Sequence, residues 1–256
     1  MKIQIIGLIF GIGLFSTLPK VSAETIKMIY GNLPPYMYLD DQTGKAQGAS
    51  VAYFDAMATQ VGHTVEWVGP LPQVRFLSYL KTPDNEIEGA ISILKYKQTE
   101  EFLEFPDMPY FLTQPSIAVR YEDPLQEIHT LADLQNYSIG GMAGEELPIP
   151  FDTLKIEPLF EESWVQQNLK KLVLRRVDAV FSQEAFMLIS YAKRLELSAK
   201  IKLLSLPVDR AKFYVAFRKA SPQSKRLVEQ YNAAVKTLQI NFEELLDKEL
   251  AANTLR

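Results

Sequence analysis

Short apolar runs of strand length alternate with helical apolar stripes in two successive stretches of this chain, which limits it to α/β architectures more sharply than any single residue does. In the first stretch Ile26, Met28 and Tyr30 fall at period two, as a half-buried strand requires. The turn-rich residues 32–48 that follow read as a loop. Val51, Phe54, Met57, Ala58 and Val61 then share one helical face, and Gly62 stands where a helix stops, glycine being the residue that accepts left-handed backbone. His63–Val68 reads as a strand, residues 74–80 as a second short helix and Gly89–Leu94 as a third strand. Strand, helix, strand, helix, strand is the order of a parallel sheet covered on both faces.

A second unit of the same kind begins near Pro115. Ile117, Val119 and Tyr121 alternate as a strand, Thr130 and Asp133 form a helix cap, and residues 137–141 run as a strand into a glycine-bearing turn. Val165, Leu169, Leu172 and Val173 make a strong helical stripe, residues 177–181 a buried strand, 185–195 another helix, and 201–206 the strand that closes the unit. Residues 213–218 supply one further strand. The chain is helical from Ser221 onward, with Ser221 as cap, Pro222 in the first turn, and Leu227, Tyr231, Ala234, Val235 and Leu238 on one stripe.

The N-terminus has a different character. Met1-Lys2, an apolar run ending near Leu18, and the small residues Val21 and Ala23 around a cleavage point read as a secretory signal peptide, residues 1–23, cut after Ala23. Its apolar core is short for a bilayer span. The mature chain is thus expected in a periplasm. Losing residues 1–23 removes two lysines from a chain of net charge −4, and a surface this acidic does not suit nucleic acid.

There is no cysteine, which excludes disulfides, a thiolate metal site, a cysteine nucleophile and a lipidated cysteine anchor. The two histidines, His63 and His129, lack partners at metal-ligand spacing. The glycines from Gly140 to Gly144 lack the Gly-Lys-Ser/Thr ending of a phosphate loop, and no Gly-x-Ser-x-Gly elbow is present. The acidic pairs Glu100-Glu101, Glu145-Glu146 and Glu161-Glu162 read as solvated faces. No catalytic residue, metal or cofactor is expected. Pro34-Pro35-Tyr36, by contrast, holds an aromatic ring at the carboxyl end of the first parallel strand, where α/β folds bind ligands.

The order of these pieces resembles the family 3 extracellular solute-binding proteins, the polar amino-acid type of periplasmic binding protein. Pro34-Pro35-Tyr36 is similar to that family's Pro-Pro-aromatic, and Gly48 with the helix ending at Gly62 to its first helix. Pro72-Gln73-Val74-Arg75 resembles its Pro-Trp-x-Arg variant, and Phe105-Pro106-Asp107-Met108-Pro109-Tyr110 its Phe-Ser-x-Pro-Tyr. Leu131-Ala132-Asp133-Leu134 with Ile139-Gly140, Val177-Asp178-Ala179-Val180 and Val215-Ala216-Phe217-Arg218-Lys219 follow in the family's order. The resemblance implies a two-lobed type II periplasmic binding fold, each lobe a mainly parallel sheet flanked by helices, joined by two hinge strands. Residues 24–112 with 213–256 would form lobe one and 113–212 lobe two, closing on ligand by hinge motion.

The same comparison marks three departures. Members that bind α-amino acids carry an arginine for the ligand carboxylate where this chain has Thr99 or Glu100. They carry an aspartate for the α-ammonium where it has Gln183, and a threonine at the start of a lobe-two helix where it has Glu145. A ligand other than a standard α-amino acid is therefore expected. Arg75, Lys95 and Lys97 could supply a displaced cationic grip; Glu145, Gln183 and Glu184 would favour a cationic or neutral polar ligand such as a polyamine or a modified peptide. The expected ligand-binding set is Tyr36, Arg75, Ser92, Lys95, Thr99, Glu145, Gln183 and Glu184. The resemblance further implies a monomer that passes its small polar ligand to a membrane permease. Its alternatives are a periplasmic sensing subunit for a signalling partner and a dehydratase on the same scaffold, the latter using Glu184 or Glu145 as its acid.

Overall fold

The computed structural model describes residues 24–141 and 164–252, apart from the side chains of residues 73 and 74. The expected signal peptide and Glu145 lie outside the described residues. In chain order the elements are strands β1 (Glu24–Ile29), β2 (Tyr38–Asp40) and β3 (Lys45–Gln47), helix α1 (Ala49–Gln60), strand β4 (His63–Val68), helix α2 (Gln73–Lys81) and strand β5 (Gly89–Leu94). A one-turn helix α3 (Lys97–Glu100) and strands β6 (Leu103–Glu104), β7 (Phe111–Thr113) and β8 (Ser116–Arg120) follow. After a 3-10 turn at Leu131–Leu134 come β9 (Ile139–Gly140), α4 (Trp164–Val173), β10 (Ala179–Ser182), α5 (Ala185–Arg194), β11 (Ile201–Ser205), β12 (Ala211–Arg218), α6 (Ser224–Val235) and α7 (Phe242–Ala252).

Two sheets organise these elements. The first has the order β4-β1-β5-β12-β6 with β7 also on β12; the second has β11-β8-β10-β9. In the first, β1 pairs in parallel with both β4 and β5, as the strand-helix alternation requires, while β12 returns antiparallel to β5. The second departs from the expected mainly parallel sheet. Only β9 and β10 run parallel there, and β8 is antiparallel to both β10 and β11. The physical reason is the entry of the chain: β8 leads away from the first sheet while β10 and β11 lead back toward it, so Ser116, Ser182 and Ser205 share one end.

Burial on two faces explains the sequence pattern. Ile26, Met28, Ile91 and Val215 face α1, α6 and α7, whereas Ile29, Ala90, Ile93 and Ala216 face Phe76 and Leu80 of α2. In the second lobe Ala118 and Val180 pack on α4 and α5, and Ile117, Val119, Ala179 and Phe181 form a second core with Ile128 and Leu134. Tyr121, read as the third member of an alternating strand, lies past the end of β8 and is exposed.

Two passages, residues 113–116 and 205–211, join the lobes. They run side by side, with Ala211 opposite Thr113 and Ser205 opposite Ser116. The Gln114 amide ties them together by donating to the carbonyls of Leu206 (2.7 Å) and Val208 (3.2 Å).

Three local expectations meet the structure differently. Residues 32–48 include a short hairpin, β2 against β3, whose three-residue strands are too brief to show a period. Thr130 and Asp133 do form a reciprocal capping box, but on the 3-10 turn. The helix expected from Ser221 begins at Ser224, and the Ser221 hydroxyl accepts the Gln223 N–H (3.1 Å) just before it.

Candidate functional site

The carboxyl ends of β1, β5 and β10 converge on the face between the lobes, where ligands of open α/β sheets bind. From the first lobe come the segment after β1, the start of α1 and the end of β5. Gly48, at φ 118, precedes α1 in a conformation that side chains disfavour, and a Cβ there would lie 2.3 Å from the Tyr36 carbonyl. That contact packs the first turn of α1 on Tyr36 and carries Ser50 to the edge of β5.

There Ser50, Ser92 and Tyr110 close a ring of hydroxyls. The Ser92 hydroxyl donates to Ser50 (3.1 Å), Ser50 and Tyr110 are 2.8 Å apart, and Tyr110 and Ser92 2.9 Å. Ser92 is held at φ 57, in the left-handed region that costs a non-glycine residue conformational energy and recurs at ligand sites. The Tyr36 ring belongs to the core. It stacks on Phe242 (6.4 Å between centroids) and tilts against Phe111 (5.7 Å), while its buried hydroxyl has no hydrogen-bond partner among the described residues.

From the second lobe, residues 183–186 at the end of β10 and the start of α5 reach across. The Gln183 amide donates to the Tyr96 hydroxyl at 2.5 Å, and the Phe186 ring packs on the first-lobe core. Glu184, between them, is 5% exposed. Burial raises the pKa of the Tyr36 phenol well above its ordinary value, with the negative charge of Glu184 the next contribution. Tyr110 is raised for the same first reason; its bonds to Ser50 and Ser92 oppose the rise and Glu184 adds to it. The Glu184 carboxylate thus lies within electrostatic reach of both phenols. Leu33, in the loop after β1, touches the cores of both lobes.

The structure brings together Tyr36, Ser92, Gln183 and Glu184 of the expected set. It does not bring in the other described members. The Thr99 hydroxyl is engaged locally, accepting the Tyr96 N–H (2.9 Å) and facing the carbonyls of Leu94 and Tyr96 at the start of α3. Lys95 pairs with Glu100 (3.3 Å) and lies over the Phe105 ring. Arg75 is exposed on α2. Sequence reasoning missed Ser50, Tyr96 and Tyr110. Tyr110 ends the family-like segment 105–110, but nothing in the spacing of Ser50 and Ser92 signals a shared hydroxyl ring. Among the described residues no three His, Cys, Asp or Glu side chains are grouped to hold a metal ion, and no helix is long and apolar enough to cross a membrane.

Two lobes, two connecting passages and a polar face between them define a periplasmic binding protein fold of type II. The chain belongs to the bacterial extracellular solute-binding proteins, family 3, whose model matches residues 26–250. Among solved structures, an ancestral arginine-binding protein bound to arginine superposes with a TM-score of 0.69 at 21% identity, covering 89% of this chain and 98% of that one. An amino acid ABC transporter substrate-binding protein from Streptococcus pneumoniae, bound to L-arginine, gives 0.70 at 17% identity, with 91% and 96% covered. The periplasmic VFT2 domain of Bordetella pertussis BvgS gives 0.68 at 17%, with 89% and 92% covered. No curated protein matches the sequence. At these identities the structural likeness is a likeness of fold.

Proposed function

We propose that this chain is a periplasmic solute-binding protein, secreted by cleavage after Ala23. It captures a small polar ligand other than a standard α-amino acid between its lobes and delivers it to a membrane permease. Lobe one is taken as residues 24–112 with 213–256 and lobe two as 113–212; the reading includes no catalytic step.

The observation that carries the proposal is the set of contacts that residues 183–186 make with the first lobe, which give closure its own protein contacts around a polar face. The chemistry of the face disfavours an α-amino acid. Of the two residues that could stand at the family's arginine position, Thr99 has its hydroxyl engaged within its own turn and Glu100 is an acid paired with Lys95, while Gln183, at the aspartate position, is a neutral amide bonded to Tyr96. An amino acid there would bury a carboxylate and an ammonium away from the usual partners, which costs several kcal/mol.

A thermal-shift screen of the chain beginning at Glu24 against amino acids, polyamines, short peptides and sugar acids tests this reading. A true ligand at about a hundred times its dissociation constant adds about 2.7 kcal/mol of stability. Strong stabilisation by ordinary α-amino acids would overturn the argument on ligand class. Failure of every solute to stabilise the protein would overturn the binding function itself.

A further inference from the structure

We infer that the face between the lobes recognises a primary ammonium group with no carboxylate beside it, an amine rather than an amino acid, gripped by the hydroxyl ring of Ser50, Ser92 and Tyr110 together with Glu184. This rests on the reading of that face as the solute site and names the class of solute.

The ring sets the polarity of the first-lobe wall. Each hydroxyl owns a single proton. With Ser92 donating to Ser50, the remaining two contacts are satisfied when Ser50 donates to Tyr110 and Tyr110 donates back to Ser92. All three protons are then spent inside the ring, and with the Tyr110 oxygen also facing the Ser92 backbone N–H, what the ring has left to offer is the lone pairs of the serine oxygens. An ammonium group, with three N–H donors and no lone pair, is the complement of such a surface; a carboxylate, which only accepts, would meet lone pairs alone.

The second lobe supplies the charge. Glu184 is flanked by Gln183 and Phe186, both of which touch the first lobe, and its field is felt at Tyr110, a member of the ring. A carboxylate near an acceptor surface favours a cation and opposes an anion. The buried Tyr36 hydroxyl, without a hydrogen-bond partner among the described residues, lies within reach of the same charge. Of the cations expected to meet a ligand carboxylate, Lys95 is held by Glu100 and Phe105, while Arg75 and Lys97 are exposed on α2 and α3.

The experiment is isothermal titration of the chain beginning at Glu24 with 1-aminoalkanes and α,ω-diaminoalkanes of two to six carbons. Each diamine is paired with its α-carboxylated counterpart, such as 1,4-diaminobutane with L-ornithine, and succinate serves as an anionic control. The expected result is that at least one amine binds about tenfold or more tightly than its carboxylated counterpart. Glu184→Gln should then weaken it by about tenfold or more and Ser92→Ala by a few-fold, since hydrogen bonds to charged groups are worth more than neutral ones. Circular dichroism and the melting temperature of both variants establish that they fold. Equal or tighter binding of the carboxylated partners overturns the inference, as does amine affinity that survives Glu184→Gln. If no amine binds while a sugar acid, peptide or other solute does, the amine class is wrong and the solute-binding reading stands; if nothing binds, both fall.

Discussion

Replacing Tyr96 by Phe and Gln183 by Ala, singly and together, measures how much of lobe closure the protein's own side chains supply. The bond between them crosses from the end of β5 to the end of β10 at 2.5 Å, and Gln183 is 6% exposed. A neutral hydrogen bond contributes about 1 kcal/mol net, so its loss shifts a two-state equilibrium by about fivefold. Because the bond spans the lobes, that loss falls on the closed state alone. Each single substitution should therefore lower the closed-to-open ratio by about fivefold, and the pair should cost much less than the sum, with a coupling energy near 1 kcal/mol. The absence of native cysteine makes the assay direct. One cysteine at exposed Asp84 and one at exposed Lys193 can carry dyes for single-molecule energy transfer, which reads both populations. Coupling within about 0.4 kcal/mol of zero, the range of independent sites, would refute the claim that this contact holds the lobes together.

Two further outcomes follow from the cores and from lobe two. Phe242 of α7, 5% exposed, has the rings of Phe111, Tyr110 and Tyr53 at 4.6, 5.0 and 5.8 Å; Phe242→Ala should cost about 3–5 kcal/mol in urea unfolding, and a loss below about 1.5 would deny it this central role. Burial acts to raise the Asp178 pKa, but the bonds donated by the Ser138 backbone and hydroxyl, with Arg120 beside it, outweigh burial and lower it below the ordinary carboxylate value. The folded state then binds fewer protons than the unfolded one. The stabilisation is full above about pH 4 and disappears as pH falls through the depressed folded value. Asp178→Asn should flatten that acid limb, and an unchanged slope in acid melting curves would show that Asp178 contributes nothing to it.

The sequence by itself determined the elements whose pattern is local. The period-two run at Ile26 and Met28, the stripe from Val51 to Ala58 ended by Gly62 at φ 82, and the apolar β5 all reappear within a few residues, because each follows from its own burial and backbone preferences. The ordered family segments also sufficed to place the chain in family 3. Strand direction in the second lobe, the hairpin of β2 and β3 and the composition of the site were decided only in three dimensions. Parallel and antiparallel strands buried on both faces carry the same apolar pattern, so β8 gives no local sign of its direction. Ser50 and Ser92 are ordinary residues until the turn at Gly48 and the left-handed backbone of Ser92 bring them both to Tyr110. Thr99 and Lys95 stand at suggestive positions in the chain, yet local hydrogen bonds and an ion pair turn them to other work. Position along the chain fixes which side chains are near the cleft, and packing fixes which of them face it.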